Sequence, residues 1–223
     1  MVRMGTLSLA LYCEGSTDEQ FIPPVAMETA RRVLAKHKRS DIEVLSIRLI
    51  RVKKKSRLEA ILQAAREAYG YHALLIHSDA DSPTPDKAKR ERYDPGHSAV
   101  QSTNEAVCKN LLPIIPVQAI EAWMLADYEL LLAEIGTSMD IHELGIPEKA
   151  SQVEAITKPK QRLKEVVQRA YASRSKRQRD TDIDFLYEAM GEKINLDRLN
   201  NVPSYKQFVT DLTMTLKTLN LIQ

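Results

Sequence analysis

The chain of 223 residues has few of the features that mark secreted, membrane or thiolate-metal proteins. Its only two cysteines, Cys13 and Cys108, lack the spacing of a zinc site, so we expect reduced thiols in or beside buried elements. No stretch approaches the ~20 apolar residues needed to span a bilayer, and the first apolar segment is too short for a signal peptide. These absences predict a cytoplasmic protein that makes no membrane contact.

Two further absences narrow the possible chemistry. The sequence has no glycine-rich loop ending in Lys-Ser/Thr, so we do not expect it to hydrolyse ATP alone. It also has no internal repeat or low-complexity tract. Its hydrophobic content of 43% is nevertheless ample for a packed core.

Apolar runs alternate with amphipathic helical patterns over residues 1–135, which predicts an α/β core with a largely parallel four-stranded sheet and helices on both faces. The strand-like segments are Thr6–Cys13, Ile42–Val52, His72–Ser78 and Leu111–Gln118. Two prolines in the last segment favour a position at the sheet edge. The charged, proline-containing segment Asp79–Gly96 is expected to be an exposed loop.

The strand signal disappears after residue 135. Residues 136–223 are therefore expected to form a helical subdomain packed on the core. The predicted helices are Gln161–Ala172, Asp182–Met190 and Ser204–Leu219. A helix is also expected at Ala119–Ile135, at the end of the core.

Carboxylates follow three of the apolar runs. Glu14 ends the first run, Asp79 and Asp81 follow the third, and Glu121 follows Ile114–Ile120. Because strand ends gather along one edge of an open α/β sheet, these carboxylates can converge on one cation. Oxygen ligands suit Mg²⁺, for which Mn²⁺ can substitute. The pattern predicts a magnesium site.

The candidate ligands differ in their expected roles. Asp79 and Asp81 are separated by one residue at a strand end, where both can turn towards the same cation, and Glu14 would be a third ligand. Asp18 and Glu19 lie in the first turn of the next helix and are candidates for a second metal or its waters. Whether one or two metals bind is open.

Basic residues crowd into three clusters, two of which adjoin the acidic segments. Phosphate contacts by Lys and Arg supply most sequence-independent affinity for DNA or RNA, so these two clusters are candidate nucleic-acid contacts. An ordinary solvated surface is the alternative. The candidates are Arg51, Lys53, Lys54, Lys55, Arg57, Lys87, Lys89 and Arg90, and the third cluster spans residues 158–179.

The order of acidic motifs resembles the TOPRIM family, which places Glu-Gly after its first strand and Asp-x-Asp after a later one. A closer resemblance is to small stand-alone TOPRIM-like proteins related to RloB-type proteins and overcoming-lysogenization-defect nucleases. The matching segments are Glu14–Glu19, Asp79–Asp81, Glu121–Asp127, Lys158–Lys160 and Pro203–Tyr205. This resemblance implies a magnesium-dependent nuclease with Glu14, Asp79 and Asp81 as catalytic residues, Glu14 being either a metal ligand or a general acid/base.

The resemblance also implies a biological role and leaves alternative functions open. A nuclease effector in prokaryotic phage defence, working beside an ATPase partner, is the first reading. No tyrosine stands in a topoisomerase context, which favours a nuclease over a topoisomerase. The alternatives are a non-catalytic nucleic-acid or nucleotide-binding module and an interaction subunit of a larger ATPase-nuclease assembly. For His77 a structural role is favoured over catalysis, and for Trp123 core packing is favoured over base stacking.

Overall fold

The computed structural model describes residues 5–13, 15–53, 56–172 and 182–223. The strands are β1 Gly5–Leu7, β2 Leu9–Tyr12, β3 Ile42–Val44, β4 Arg48–Leu49, β5 Ala73–His77 and β6 Leu111–Ile114. The helices, numbered over the described residues, are α1 Asp18–Lys36, α2 Arg57–Glu67, α3 Asp86–Ala88, α4 Asp94–Ser102, α5 Glu121–Ala126, α6 Tyr128–Ile135, α7 Ile141–Leu144, α8 Pro159–Ala170, α9 Phe185–Lys193, α10 Leu196–Leu199 and α11 Pro203–Thr218. A π-helical turn spans Lys89–Tyr93, and a 3-10 helix spans Ala150–Ala155.

The main sheet has four parallel strands in the order β4-β2-β5-β6, and β1 pairs with β3 in parallel beside it. Gly5 pairs with Ile42 and Ala10 with Arg48, so the segment with β3 and β4 has one more residue between the two pairs than the segment with β1 and β2. The predicted four-stranded parallel sheet is confirmed, and the proline-containing β6 lies at its edge as predicted.

Alternate strand residues enter two apolar clusters, as the period of two requires. Leu9 and Leu11 belong to the larger cluster, which contains the buried sides of α1, α8, α9 and α11. Ala10 and Tyr12 belong to the cluster formed with α2 and α4. Helices therefore cover both faces of the sheet, and the C-terminal helices share the core of the first face.

Two local predictions are wrong. Asp79–Gly96 is not an exposed loop, because helical structure begins at Asp86 and continues through the π-helical turn into α4. Tyr93 is buried there and donates a hydrogen bond to the carbonyl of Leu111, and Gly96 packs so closely on Ile61 that an added Cβ would lie 2.6 Å from its Cδ1. These tertiary contacts override the proline-rich and charged local sequence. The predicted Ala119–Ile135 helix is broken at Asp127, whose carboxylate caps α6 at Leu130 N.

The described part of residues 136–223 contains helices and no strand. Pro159–Ala170, Phe185–Lys193 and Pro203–Thr218 correspond to the three predicted helices. Trp123 of α5 is buried and donates its indole N–H to Ser204 Oγ at 2.8 Å, which confirms the predicted packing role. Across the described residues, no helix is both long enough and apolar enough to cross a membrane.

Candidate functional site

The carboxyl ends of β5 and β6 remain paired beyond the strands. Ala80 N donates to Pro116 O at 3.0 Å, and Asp81 N donates to Gln118 O at 2.9 Å. Asp81 and Gln118 then both adopt left-handed backbone conformations, with φ of 49° and 62°. Non-glycine residues seldom have positive φ, and such backbone commonly occurs at functional sites. Both residues line the same cleft.

This cleft has a volume of about 780 Å³ and lies at the carboxyl edge of the sheet. Four carboxylates from three separate segments line it. Asp18 comes from the start of α1, Asp79 and Asp81 follow β5, and Glu121 begins α5. Four of the five predicted metal ligands therefore line one cleft. The fifth, Glu14, lies outside the described residues.

His77 lies between two of these carboxylates. Its Nδ1 is 3.3 Å from Asp18 Oδ2 and its Nε2 is 3.3 Å from Asp79 Oδ1, although neither contact has the geometry of a good hydrogen bond. Burial lowers the pKa of this histidine, but the two carboxylates outweigh it and hold the pKa well above its usual range. His77 thus lies beside two site carboxylates, and the structural role favoured from the sequence stays a prediction.

Asp18 is held in place by the turn before α1. Gly15 N donates to Asp18 Oδ2 at 3.2 Å, and a Cβ at Gly15 would lie only 2.8 Å from that oxygen. The neighbouring Glu19 accepts a two-pronged hydrogen bond from Arg51, with Arg51 Nη2 2.6 Å from Glu19 Oε2. Glu19 does not belong to the described lining of the cleft. Asp18, rather than Glu19, is the carboxylate of this helix that reaches the site.

Glu121 is the most deeply buried of the four carboxylates, with 3% of its surface exposed. Tyr187 of α9 donates its hydroxyl to Glu121 Oε1, and Lys160 Nζ lies 3.9 Å from the same oxygen. Burial raises the pKa of Glu121, an effect that the hydrogen bond from Tyr187 opposes. The sequence did not reveal Tyr187, because 66 residues separate it from Glu121.

Asp81 and the backbone of Asp79 are held together by Arg92. Its guanidinium lies 2.8 Å from Asp81 Oδ2 and donates to the carbonyl of Asp79 at 2.8 Å. Arg92 belongs to a basic run in which the sequence had suggested nucleic-acid contacts at Lys87, Lys89 and Arg90. Those three side chains are exposed and are not among the described residues that line the cleft.

The first basic run, from Arg51 to Arg57, also contains both paired and exposed side chains. The Arg57 guanidinium points into the fold, where it donates to the carbonyl of His77 and lies 4.9 Å from the centre of the Tyr12 ring. Arg51 is paired with Glu19, and Lys53 is exposed. Lys54 and Lys55 lie outside the described residues. The proposed phosphate contacts at this run stay a prediction.

Three lysines line the same cleft as the carboxylates and form its lysine wall. Lys158, Lys160 and Lys164 come from the start of α8 and the residue before it. The sequence assigned them to the third basic cluster but not to the site. The Lys-Pro-Lys motif could have suggested that these lysines lie next to Glu121. Only the packing of α8 on α5, however, brings the lysines and the carboxylates into one cleft.

The donor chemistry of the cleft fits a hard divalent cation. Its carboxylates supply oxygen ligands, and Mg²⁺ is usually bound by one or two carboxylates with waters and substrate phosphates completing the shell. In the described ranges, no group of three or more His, Cys, Asp or Glu side chains is placed to hold a metal ion. Asp79 and Asp81 are the carboxylates most accessible from the open side, whereas Asp18 and Glu121 are buried.

Comparison with known proteins yields one match. The chain matches no curated protein and no solved structure significantly. A family model described as a domain of unknown function, DUF4276, matches residues 13–213. That match spans most of the chain, which therefore belongs to the DUF4276 family.

Proposed function

We propose that the protein is a magnesium-dependent nuclease that hydrolyses phosphodiester bonds in nucleic acid. The observation that carries this proposal is the convergence of Asp18, Asp79, Asp81 and Glu121 from three segments into one cleft, which three lysines also line. Carboxylates alone would repel a phosphate. Lysines beside them attract it, and a divalent cation would neutralise the acidic side.

The residues that would hold Mg²⁺ are Asp79 and Asp81, with Glu14, Asp18 and Glu121 as further candidates from the sequence. When bound, the ion supplies Lewis acidity and lowers the pKa of a coordinated water. The other steps of the reaction would be carried out by side chains of the protein. Glu14, the general acid/base implied by the TOPRIM resemblance, lies outside the described residues.

Several contacts keep the carboxylates in position. His77 lies between Asp18 and Asp79, which come from different elements, and would attract both when it is protonated. Tyr187 holds Glu121, and Arg92 holds Asp81. The lysines of α8 would bind non-bridging phosphate oxygens and orient the substrate, because ammonium groups are strong phosphate binders.

The TOPRIM-like identity is part of this proposal. Its support is a parallel four-stranded sheet with an Asp-x-Asp pair at the carboxyl end of a central strand. An effector role in phage defence and an ATPase partner stay predictions from the sequence resemblance.

A second function, nucleic-acid binding without cleavage, is favoured by one observation. Positive groups already lie beside the carboxylates: His77 next to Asp18 and Asp79, and Arg92 next to Asp81. Because these groups balance the negative charge of the carboxylates, the cleft can hold phosphate without a metal. Cleavage of the bound nucleic acid distinguishes the nuclease from the binding module.

The test is cleavage of end-labelled DNA and RNA by purified protein in Mg²⁺, in Mn²⁺ and in EDTA. We expect metal-dependent cleavage by the parent chain and a loss of about 100-fold or more in Asp79→Asn. Asp197→Asn is the matched control, because Asp197 is exposed and is not among the residues that line the cleft. Salt-sensitive binding with no cleavage under any metal would reject the nuclease and support the second function.

A further inference from the structure

The lysine wall of the cleft extends along one side of α8. Lys160 and Lys164 are four residues apart and so project from the same side of the helix, and Lys158 directly precedes it. All three are exposed and line the cleft. The wall therefore presents three ammonium groups to a ligand that enters the cleft.

The carboxylate contacts of these lysines are weak. Lys160 Nζ is 3.9 Å from Glu121 Oε1, and Lys164 Nζ is 3.5 Å from Asp182 Oδ1. Lys164 and Asp182 are both exposed, so their contact contributes little to stability. Lys160 is exposed but its partner Glu121 is buried, and Glu121 keeps its hydrogen bond from Tyr187 if Lys160 turns to a phosphate. Both lysines are therefore available to a ligand.

The size of the cleft limits what can reach its two buried carboxylates. Its volume of about 780 Å³ is that of a small-molecule pocket, and Asp18 and Glu121 are only 7% and 3% exposed. A duplex keeps its bases stacked and paired, so its backbone cannot enter a recess of this size without strand separation. A single strand can enter it.

The described lining of the cleft contains no Phe, Tyr or Trp side chain. Proteins that bind single strands through their bases use aromatic rings on which the bases stack. The single tryptophan, Trp123, is buried in the core. The described lining therefore offers no stacking platform, and its three lysines favour recognition through the phosphates, which every nucleotide sequence shares.

We infer that Lys158, Lys160 and Lys164 bind successive backbone phosphates of single-stranded nucleic acid, so that the cleft selects single strands over duplexes and has no base preference. This inference rests on the proposed function and specifies its substrate. A free nucleotide offers the same phosphate chemistry but only one phosphate cluster, so it would engage fewer of the lysines.

Binding measured without metal tests the inference separately from cleavage. The probe is a fluorescent twelve-residue oligothymidylate, followed by anisotropy in EDTA at several salt concentrations. The test variant is K158A/K160A/K164A. The matched control is K149A/K206A/K217A, which removes three exposed lysines that do not line the cleft. Alanine is favourable in a helix, and thermal unfolding checks that both variants fold.

We expect the slope of log K against log salt to flatten by about 0.7 per lost contact in the test variant, and to stay unchanged in the control. The parent should bind an adenine homopolymer as tightly as oligothymidylate, and a duplex of equal length at least about tenfold more weakly. Any one of four results would overturn the inference. These are equal slopes in the two triple variants, equal affinity of the parent for duplex and single strand, undetectable binding, and displacement of the oligonucleotide by ATP at concentrations as low as its own. Binding that behaves as expected without cleavage in Mg²⁺ would instead reject the nuclease proposal alone.

Discussion

Replacing Tyr187 by Phe removes one hydroxyl from the interior and leaves the ring in place. That hydroxyl donates to Glu121 Oε1, and both residues are buried. Hydrogen bonds to charged groups contribute about 1.5–3 kcal/mol, against about 1 kcal/mol for neutral pairs. The free energy of unfolding of Tyr187→Phe should therefore fall by about 1.5–3 kcal/mol where Glu121 is ionised.

The size of this loss should depend on pH. The folded-state pKa of Glu121 is raised, mainly by burial, so ionising this residue costs stability as pH rises through the unfolded and then the folded pKa. The hydrogen bond from Tyr187 opposes that rise. Without this hydrogen bond the folded-state pKa of Glu121 rises further, and ionising Glu121 lowers the free energy of unfolding by a larger amount. The stability difference between parent and variant should grow from about 1 kcal/mol near pH 4 to its full value near pH 8.

Tyr205→Phe is the matched control. The Tyr205 hydroxyl is 2.7 Å from Thr29 Oγ1, a neutral partner, and both side chains are buried. Burial raises the pKa of Tyr205 to about 12 and raises that of Tyr187 as well, so both phenols stay neutral over this range. The free energy of unfolding of Tyr205→Phe should therefore fall by about 1 kcal/mol at every pH.

The assay is urea denaturation of all three metal-free proteins at several pH values, with the m-value confirming that the same unfolding is measured. A Tyr187→Phe loss that is constant with pH, or no larger than that of Tyr205→Phe, would refute the assignment of a charged, tyrosine-held Glu121.

Two other predictions concern packing and surface charge. Gly191→Ala should lower the free energy of unfolding by about 1–3 kcal/mol, because its Cβ would lie 2.8 Å from the Phe21 carbonyl oxygen where α9 crosses α1. An unchanged denaturation midpoint would contradict this close approach. Lys53→Ala should flatten the salt dependence of nucleic-acid binding by about 0.7–0.9 units of slope, whereas Arg51→Ala should change it less, because Glu19 already pairs with that arginine. Equal changes in the two variants would show that the pairing does not matter.

The sheet could be predicted from the sequence because burial on two faces leaves a strong local signal. Continuous apolar runs such as Ala73–His77 are typical of central parallel strands, and their order fixes which ends carry the acidic residues. Asp79 and Asp81 follow such a strand and both line the cleft, while their role as metal ligands stays a prediction.

Contacts between distant segments could not be predicted in the same way. The position of His77 between Asp18 and Asp79 is one such contact. The helix over residues 86–102 depends on Tyr93 reaching Leu111, and no local pattern encodes that contact. The same holds for the lysines of α8, which packing brings into the same cleft as the carboxylates.

Direct titration of the metal-free protein with Mn²⁺, with the unbound ion followed by electron paramagnetic resonance, tests the central claim most directly. We predict saturable binding by the parent chain and affinity at least about tenfold weaker in both Asp79→Asn and Glu14→Gln, with Asp197→Asn unchanged. No saturable binding by the parent, or equal binding by all four proteins, would contradict a metal centre built from these carboxylates.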